Sequence, residues 1–71
     1  MTTGEIIKKY REEKEMTQQG LAMKSGLSIK TISNIETNRS NPSYPTLWIL
    51  ADALGVEPKD LLPEEYQGIK S

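Results

Sequence analysis

The 71-residue sequence has no cysteine, no histidine and no phenylalanine, and it has only one tryptophan. Without cysteine the chain has no disulfide framework and no thiolate metal ligand. Without histidine it lacks the side chain that most often serves as a neutral-pH acid or base and as a metal ligand. We therefore expect no enzyme activity, no metal and no cofactor, and a core built mainly from aliphatic side chains.

Long apolar runs are also missing. No run approaches the ~20 residues that a membrane-spanning helix requires, and residues 1–15 lack the basic-then-apolar order of a signal peptide. These two absences favour a cytoplasmic protein without a membrane partner. The length suits one small domain, so we expect residues 1–63 to fold together. Residues 64–71 are expected to form a loose C-terminal tail, unless a partner orders Tyr66 and Ile69.

An excess of charge of one sign is missing as well, since the formal net charge is -1. Residues 1–49 carry seven basic and five acidic side chains, whereas residues 50–71 carry two basic and five acidic ones. The total by itself argues against a nucleic-acid partner, but the asymmetry between the two parts is mild. Charge alone therefore decides nothing about the partner.

Glycine, proline and polar clusters divide the chain into five short helical segments, and no segment alternates as a strand does. The first helix is predicted over residues 4–14, with one face formed by Ile6, Ile7, Tyr10, Arg11 and Lys14. The others are predicted over residues 18–24, 28–36 and 44–54, with a single last turn over 59–62. The fold class that this pattern predicts is all-α.

Short polar residues and glycines mark the predicted helix ends. Thr17, Ser28 and Ser43 can each accept a hydrogen bond from a free N–H group in a first helical turn. Gly26 is expected to end the second helix in the left-handed conformation. The loop at 37–42 has no glycine, so we expect Asn38 to adopt a positive φ there.

The second and third helices are joined by only Ser25-Gly26-Leu27. A link this short with a central glycine makes the two helices cross steeply instead of lying antiparallel, which is the helix-turn-helix arrangement. Its inner face is predicted to consist of Leu21, Ala22, Leu27, Ile32 and Ile35. The second helix of such a unit can enter a major groove, and its outer face here carries short polar side chains.

Three segments carry a resemblance to a known family: TQQGLAMKSGLSIKTISNIE at residues 17–36, the Asn-Pro pair downstream, and LADALGVEPKDLL at residues 50–62. Together they are similar to the Cro/repressor-type (Xre-like) DNA-binding domains of phage and bacterial regulators, over residues 5–62. The resemblance implies a compact five-helix, lambda-repressor-like domain with its helix-turn-helix at about residues 17–36. It also implies a sequence-specific transcriptional regulator, most simply a repressor that binds a palindromic operator in double-stranded DNA as a homodimer.

The same resemblance implies which residues contact DNA. Four residues on the outer face of the third helix are expected to read bases: Ile29, Lys30, Ser33 and Asn34. Lys30 can donate to guanine, Asn34 can pair with adenine, and Ile29 can contact a thymine methyl group. Six residues are expected to contact phosphates through side chains and N–H groups: Gln18, Ser28, Thr31, Thr37, Asn38 and Arg39. Packing at the edge of the core is the alternative for Ile29, and capping alone is the alternative for Ser28.

An ion pair between Arg11 and Glu36 is a further implication of the resemblance, which places an arginine of the first helix against the glutamate that ends the third. We expect this pair to be partly buried and to fix the reading helix relative to the first helix. Its role is then geometric, since a buried ion pair need not stabilise a fold more than apolar replacements would.

Trp48 lies outside the inward stripe of the fourth helix, which is predicted to contain Leu47, Leu50, Ala51 and Leu54. With Val56 and Leu61, Trp48 is therefore a candidate for the dimer contact. The alternative is that Trp48 packs across the domain.

A second class of function stays open beside DNA binding. The chain can keep the helix-turn-helix scaffold and act as a protein-interaction module or an antitoxin-like protein that binds a partner. The net charge of -1 and the apolar Ile29 on the reading face motivate this alternative.

Overall fold

The computed structural model describes residues 1–64 of the chain. It contains four α-helices: α1 (Thr3–Glu13), α2 (Gln18–Ser25), α3 (Ile29–Glu36) and α4 (Tyr44–Leu54). A 3₁₀ turn, Pro58–Leu61, follows α4. Residues 1–64 contain no strand, so the prediction of an all-α fold is confirmed. Apart from its first residue, the tail predicted at 64–71 lies outside the described residues, as do Tyr66 and Ile69.

The fifth helix of the prediction is a four-residue 3₁₀ turn rather than an α-helix. Pro58 starts this turn and Pro63 follows it, so too few residues lie between the two prolines for an α-helix to propagate. The turn packs against α4 and α1.

Side-chain caps begin each of the four α-helices. Thr17, Ser28 and Ser43 accept hydrogen bonds from N–H groups three residues later, as predicted, at 2.9, 3.1 and 3.4 Å. An unpredicted capping box begins α1, in which Thr2 Oγ1 accepts from the Glu5 N–H and Glu5 Oε1 accepts from the Thr2 N–H. The hydrogen bond from the Thr2 N–H to the Glu5 carboxylate lowers the pKa of Glu5 below its ordinary value. The Thr-x-x-Glu spacing is the sequence signature of such a box.

The left-handed conformations predicted for Gly26 and Asn38 are confirmed, and Gly55, at the end of α4, is also left-handed. Gly26 and Gly55 have φ angles of 77° and 72°, and Asn38 has a φ of 64°. Glu15, with a φ of 55°, also lies in this region and was not predicted. Its N–H group donates to the carbonyl oxygen of Glu12, and this closes the turn that follows α1.

The core lies between the four helices and the 3₁₀ turn, and it is wholly aliphatic. Its buried apolar residues are Ile7, Leu21, Ala22, Ile32, Ile35, Leu47, Leu50, Ala51, Ala53, Leu54 and Leu61. Ile6 and Tyr10 of α1 pack against this cluster from its edge. Lys14, predicted on the inward face of the first helix, is instead an exposed C-cap, because the helix ends one residue earlier than predicted.

None of the helices in residues 1–64 has the length and apolar character needed to cross a membrane.

Candidate nucleic-acid interface

The link between α2 and α3 has the geometry expected of a helix-turn-helix. The N–H groups of Gly26 and Leu27 both donate to the carbonyl oxygen of Ala22, at 2.9 and 3.1 Å. These bonds close the end of α2 and turn the chain at once into α3. Leu21 and Ala22 of α2 are buried together with Ile32 of α3, so the two helices share one apolar face.

The opposite face of α3 is open to solvent and carries the four predicted base-reading residues. Ile29 is 50% exposed, so it lies outside the buried core and half of its surface is open to a ligand. Lys30 is exposed, and Ser33 and Asn34 are half-buried. Within residues 1–64 the side chains of Lys30, Ser33 and Asn34 form no hydrogen bond or ion pair. Their donors and acceptors are therefore available to a ligand.

The start of α3 presents two linked hydroxyl groups. Ser28 Oγ accepts the N–H of Thr31 and lies 2.8 Å from Thr31 Oγ1, so one hydroxyl donates to the other. Each hydroxyl carries one hydrogen, and so one of the two hydrogens stays free whichever oxygen is the donor. This free hydroxyl lies beside the positive end of the helix dipole, where an anion is favoured.

The loop after α3 contains three of the predicted phosphate contacts. One of them has its side-chain donor occupied, and the other two have free donors. Thr37 Oγ1 donates its hydrogen to the carbonyl oxygen of Ser33 at 2.8 Å, so it cannot donate to a phosphate while that bond persists. Asn38 Oδ1 accepts a hydrogen bond from Thr2 Oγ1 at 2.8 Å, which leaves both hydrogens of its amide nitrogen free. The guanidinium group of Arg39 is exposed and forms no ion pair within residues 1–64.

Gln18, the sixth predicted phosphate contact, has a partner inside the protein. Its Nε2 donates to Glu36 Oε1 at 3.0 Å. An amide nitrogen carries two hydrogens, so one donor remains. The structure thus connects the first residue of α2 to the last residue of α3, a contact that the sequence analysis missed because nothing in residue spacing signals it.

Behind α3, the predicted pair of Arg11 and Glu36 is in contact and buried. Arg11 Nε lies 2.7 Å from Glu36 Oε2, and Arg11 Nη2 lies 3.1 Å from Glu36 Oε1. The two side chains are 10% and 1% exposed. A third bond, from Arg11 Nη1 to the carbonyl oxygen of Met16 at 2.6 Å, ties in the turn before α2. The hydrogen bonds to Glu36 raise the pKa of Arg11 above its ordinary value.

Gly4 brings the start of α1 against the end of α3. A Cβ atom at this position would collide with the carbonyl oxygen of Ile35 and lie 2.8 Å from Asn38 Oδ1. Only glycine permits this approach, and the Thr2–Asn38 hydrogen bond lies beside it. The sequence analysis missed this role, although a glycine in a helical first turn is a signal of close packing.

The three residues predicted for the dimer contact differ in their exposure to solvent. Trp48 is 61% exposed, so the alternative that it packs across the domain is wrong. Leu61 is fully buried in the core and is not available to a second copy, and Val56 is partly buried against the core. The error for Leu61 arose because the 3₁₀ turn points this side chain inward, which its short sequence does not reveal.

The described residues contain no group of three or more aspartate or glutamate side chains that could hold a metal ion. The outer face of α3 and the segments at its two ends offer hydrogen-bonding groups and apolar contact to a ligand.

Comparisons with known proteins agree with this geometry. Residues 7–61 match the model of the helix-turn-helix family. The chain is 43% identical over 65 residues to the immunity repressor protein of Bacillus phage phi105, covering 92% of this chain but only 45% of the repressor. It is 39% identical over 59 residues to an uncharacterized HTH-type transcriptional regulator, y4dJ, of Sinorhizobium fredii, covering 83% of this chain and 77% of that protein.

A solved structure gives the same result at the level of the fold. The crystal structure of SinR, a master regulator for biofilm formation, in complex with DNA is similar with a TM-score of 0.83 and 36% identity. The match covers 87% of this chain and all of that one. Since a family model covers most of the chain and the fold agrees, the chain belongs to the helix-turn-helix family, as its resemblance to Xre-like domains predicts.

Proposed function

We propose that the chain is a sequence-specific DNA-binding transcriptional regulator, most simply a repressor, which binds an inverted-repeat operator as a homodimer in the cytoplasm. Its activity is binding rather than catalysis. One observation carries the proposal: α3 presents unpaired donors and acceptors on an exposed face while its opposite side is held by the buried Arg11–Glu36 pair. The DNA complex of the similar SinR protein supports the same use of the fold.

Base reading on this proposal uses three kinds of contact in the major groove. Lys30 donates to guanine O6 or N7, and Asn34 pairs with the N6 and N7 edge of adenine. Ile29, with half of its surface exposed, contacts a thymine methyl group. Ser33 is short and can accept or donate, so it discriminates least.

Phosphate binding uses the donors that the fold leaves free. These are one hydroxyl hydrogen of the Ser28–Thr31 pair, the amide nitrogen of Asn38 and the guanidinium group of Arg39. Gln18 contributes its second amide hydrogen. The hydroxyl group of Thr37 is occupied, so we assign any contact of this residue to its place in the loop rather than to its side chain. Few of these donors are charged, which makes a net charge of -1 compatible with DNA binding.

Selection of bound duplexes from a random-sequence DNA library at near-physiological salt tests this proposal. We expect an enriched inverted repeat with half-sites ~34 Å apart, one helical turn between centres. Asn34→Ala should then relax the preference at one adenine by about 1–3 kcal/mol. Lys8→Ala, on the exposed face of α1, is the control and should leave every base preference unchanged. A library without enrichment would contradict the proposal.

The protein-interaction alternative makes a different prediction about salt. Phosphate contacts release counterions, so DNA affinity falls steeply as salt rises. A partner that binds the outer face of α3 through apolar contact with Ile29 would depend on salt only weakly. Binding that is insensitive to salt, together with a failed selection, would favour the protein partner.

A further inference from the structure

One side-chain hydrogen bond joins the residue before α1 to the loop after α3. Thr2 Oγ1 donates to Asn38 Oδ1 at 2.8 Å, although the two residues are 36 positions apart in the sequence. The same Thr2 oxygen accepts the N–H of Glu5 at 3.2 Å, as the cap of α1. A hydroxyl group carries a single hydrogen, and here that hydrogen is committed to Asn38. The hydroxyl of Thr2 is therefore fixed by one bond that it accepts and one that it donates.

We infer that Thr2 is a positioning residue for DNA binding, because its hydroxyl fixes which end of the Asn38 amide is free to meet a phosphate. Thr2 contacts no phosphate itself and acts through Asn38. The inference rests on the proposed function, in which the amide nitrogen of Asn38 donates to the DNA backbone. It goes further by naming the residue that makes Asn38 a donor at this place instead of an acceptor.

The chemistry of the asparagine side chain explains why it needs positioning. The amide has an oxygen that only accepts hydrogen bonds and a nitrogen that only donates them, in two groups of similar size. A phosphate oxygen is a charged acceptor, so it binds the nitrogen and repels the amide oxygen. A half-turn about the last side-chain bond exchanges the two groups. That rotation would place the nitrogen opposite the hydroxyl hydrogen of Thr2, so the bond that Thr2 donates would be lost.

Two further features hold Asn38 against α1. Its backbone is left-handed, with a φ angle of 64°, and its N–H donates to the carbonyl oxygen of Ile35 at 3.1 Å. Gly4 lies beside the side chain, since a Cβ atom at that position would be 2.8 Å from Asn38 Oδ1. The oxygen therefore has room on this side only because residue 4 is glycine. The backbone, the glycine and the Thr2 hydroxyl together orient the amide before a ligand arrives.

The expected size of the effect follows from the freedom that the Thr2 hydroxyl removes. Ordering one mobile side chain on binding reduces affinity by about 3–10-fold. Two copies on one inverted repeat each lose this factor. Without the Thr2 hydroxyl, binding to the full repeat should therefore weaken by about tenfold or more.

The test measures affinity for the duplex recovered from the random-sequence library. Thr2→Gly removes the hydroxyl but disturbs the start of α1 little, because glycine caps a helix nearly as well as threonine does. It should weaken binding by about tenfold or more. Thr2→Ser keeps the hydroxyl and should restore binding to within about twofold of the unaltered chain. Glu5→Gln alters the same capping box without removing the bond to Asn38, so it should not weaken binding.

A double variant separates positioning from a general effect on the fold. Asn38→Gly removes the amide, and glycine adopts the positive φ of this position without strain. If Thr2 acts through Asn38, adding Thr2→Gly to Asn38→Gly should weaken binding by less than about twofold more. A loss of structure in α1 would instead weaken binding by the same factor whether or not Asn38 is present.

Neutral methylphosphonate linkages, placed one at a time in the duplex, identify the phosphate concerned. At the phosphate that Asn38 contacts, this replacement should weaken binding of the unaltered chain and of Thr2→Ser. It should have little effect on Asn38→Gly, which has already lost the contact. Thr2→Gly should lose most of its sensitivity at this one phosphate and keep its sensitivity at all the others.

The outcomes separate this inference from the proposed function. If the unaltered chain binds no duplex, the proposed function fails and the inference fails with it. If Asn38→Gly binds as tightly as the unaltered chain, the inference fails while DNA binding itself stands. If Asn38→Gly is weakened but Thr2→Gly is not, the inference alone is overturned. It is also overturned if Thr2→Gly weakens the Asn38→Gly variant by its full factor.

Discussion

Replacing Arg11 by methionine tests the most consequential contact in the fold. The change removes the two hydrogen bonds to Glu36 and the third to the carbonyl oxygen of Met16. Glu36, whose side chain is 1% exposed, then keeps only Gln18 as a donor and lies as an uncompensated charge in the interior. Breaking a buried pair in this way typically destabilises a protein by about 3–5 kcal/mol. A chain of this length has a total stability of roughly 4–10 kcal/mol, so a large part of it is lost.

Urea denaturation, monitored by the circular dichroism signal of the helices, measures this loss of stability. The control is Lys8→Met, the same kind of change on the exposed face of α1, which should alter the unfolding free energy by less than about 0.5 kcal/mol. The double variant Arg11→Met with Glu36→Leu leaves no buried charge and should recover most of the stability.

The double variant then isolates the geometric role of the pair. It should bind the selected duplex at least about tenfold more weakly than the unaltered chain, because nothing polar fixes the angle between α1 and α3. If Arg11→Met loses less than about 1 kcal/mol, the uncompensated-charge reasoning is refuted. If the stable double variant binds DNA normally, the geometric role is refuted.

Two further predictions concern the first turn of α1. Gly4→Ala should destabilise the fold by about 1–2 kcal/mol, since the overlap with the Ile35 carbonyl outweighs the better helix propensity of alanine. Gly20→Ala is its control, because the added methyl group comes close only to Thr17 Oγ1, at 3.2 Å, and meets no backbone atom. Thermal unfolding of this control should show no loss of stability. An equal loss in both variants would contradict the close-approach argument. The second prediction is for Glu5, whose folded-state pKa is lowered by its bond to the Thr2 N–H. Its contribution to stability is therefore full above its unfolded pKa near 4.5 and is lost as pH falls through the lower folded value. Glu5→Gln should lower stability at neutral pH, and this deficit should shrink as the pH is lowered from 4.5. A deficit in urea denaturation that stays constant as the pH is lowered would exclude this linkage.

The helices were predictable because local chemistry fixes their ends. The caps Thr17, Ser28 and Ser43 and the left-handed Gly26 each act on the adjacent turn, and periodicity separates inward from outward residues. Leu61 and Trp48 were harder, because their burial depends on how α4 and the 3₁₀ turn pack in three dimensions. Side-chain spacing along one helix does not contain that information.

In the candidate site, too, some features follow from local helix geometry and others depend on the tertiary fold. The outward position of Lys30 and Asn34 follows from the helical period once α3 is placed. The bonds from Gln18 to Glu36 and from Thr2 to Asn38 join residues 18 and 36 positions apart, and only the folded chain brings them together. These longer-range bonds also decide which side-chain donors remain free for a ligand, and the sequence alone does not reveal that.

The short side chains on the outer face of α3 explain why the orientation of this helix must be fixed. Ser33 and Asn34 reach only a few ångströms beyond the helix, so they can meet base edges only if α3 lies deep in the groove at one orientation. A flexible lysine such as Lys30 can compensate for a misplaced helix, whereas a serine or an asparagine cannot. The buried Arg11–Glu36 pair on one side of α3, and the close approach of Gly4 at its end, fix that orientation before any ligand arrives. On the proposed function, sequence discrimination in this chain thus depends as much on the residues that hold α3 as on those proposed to face the bases.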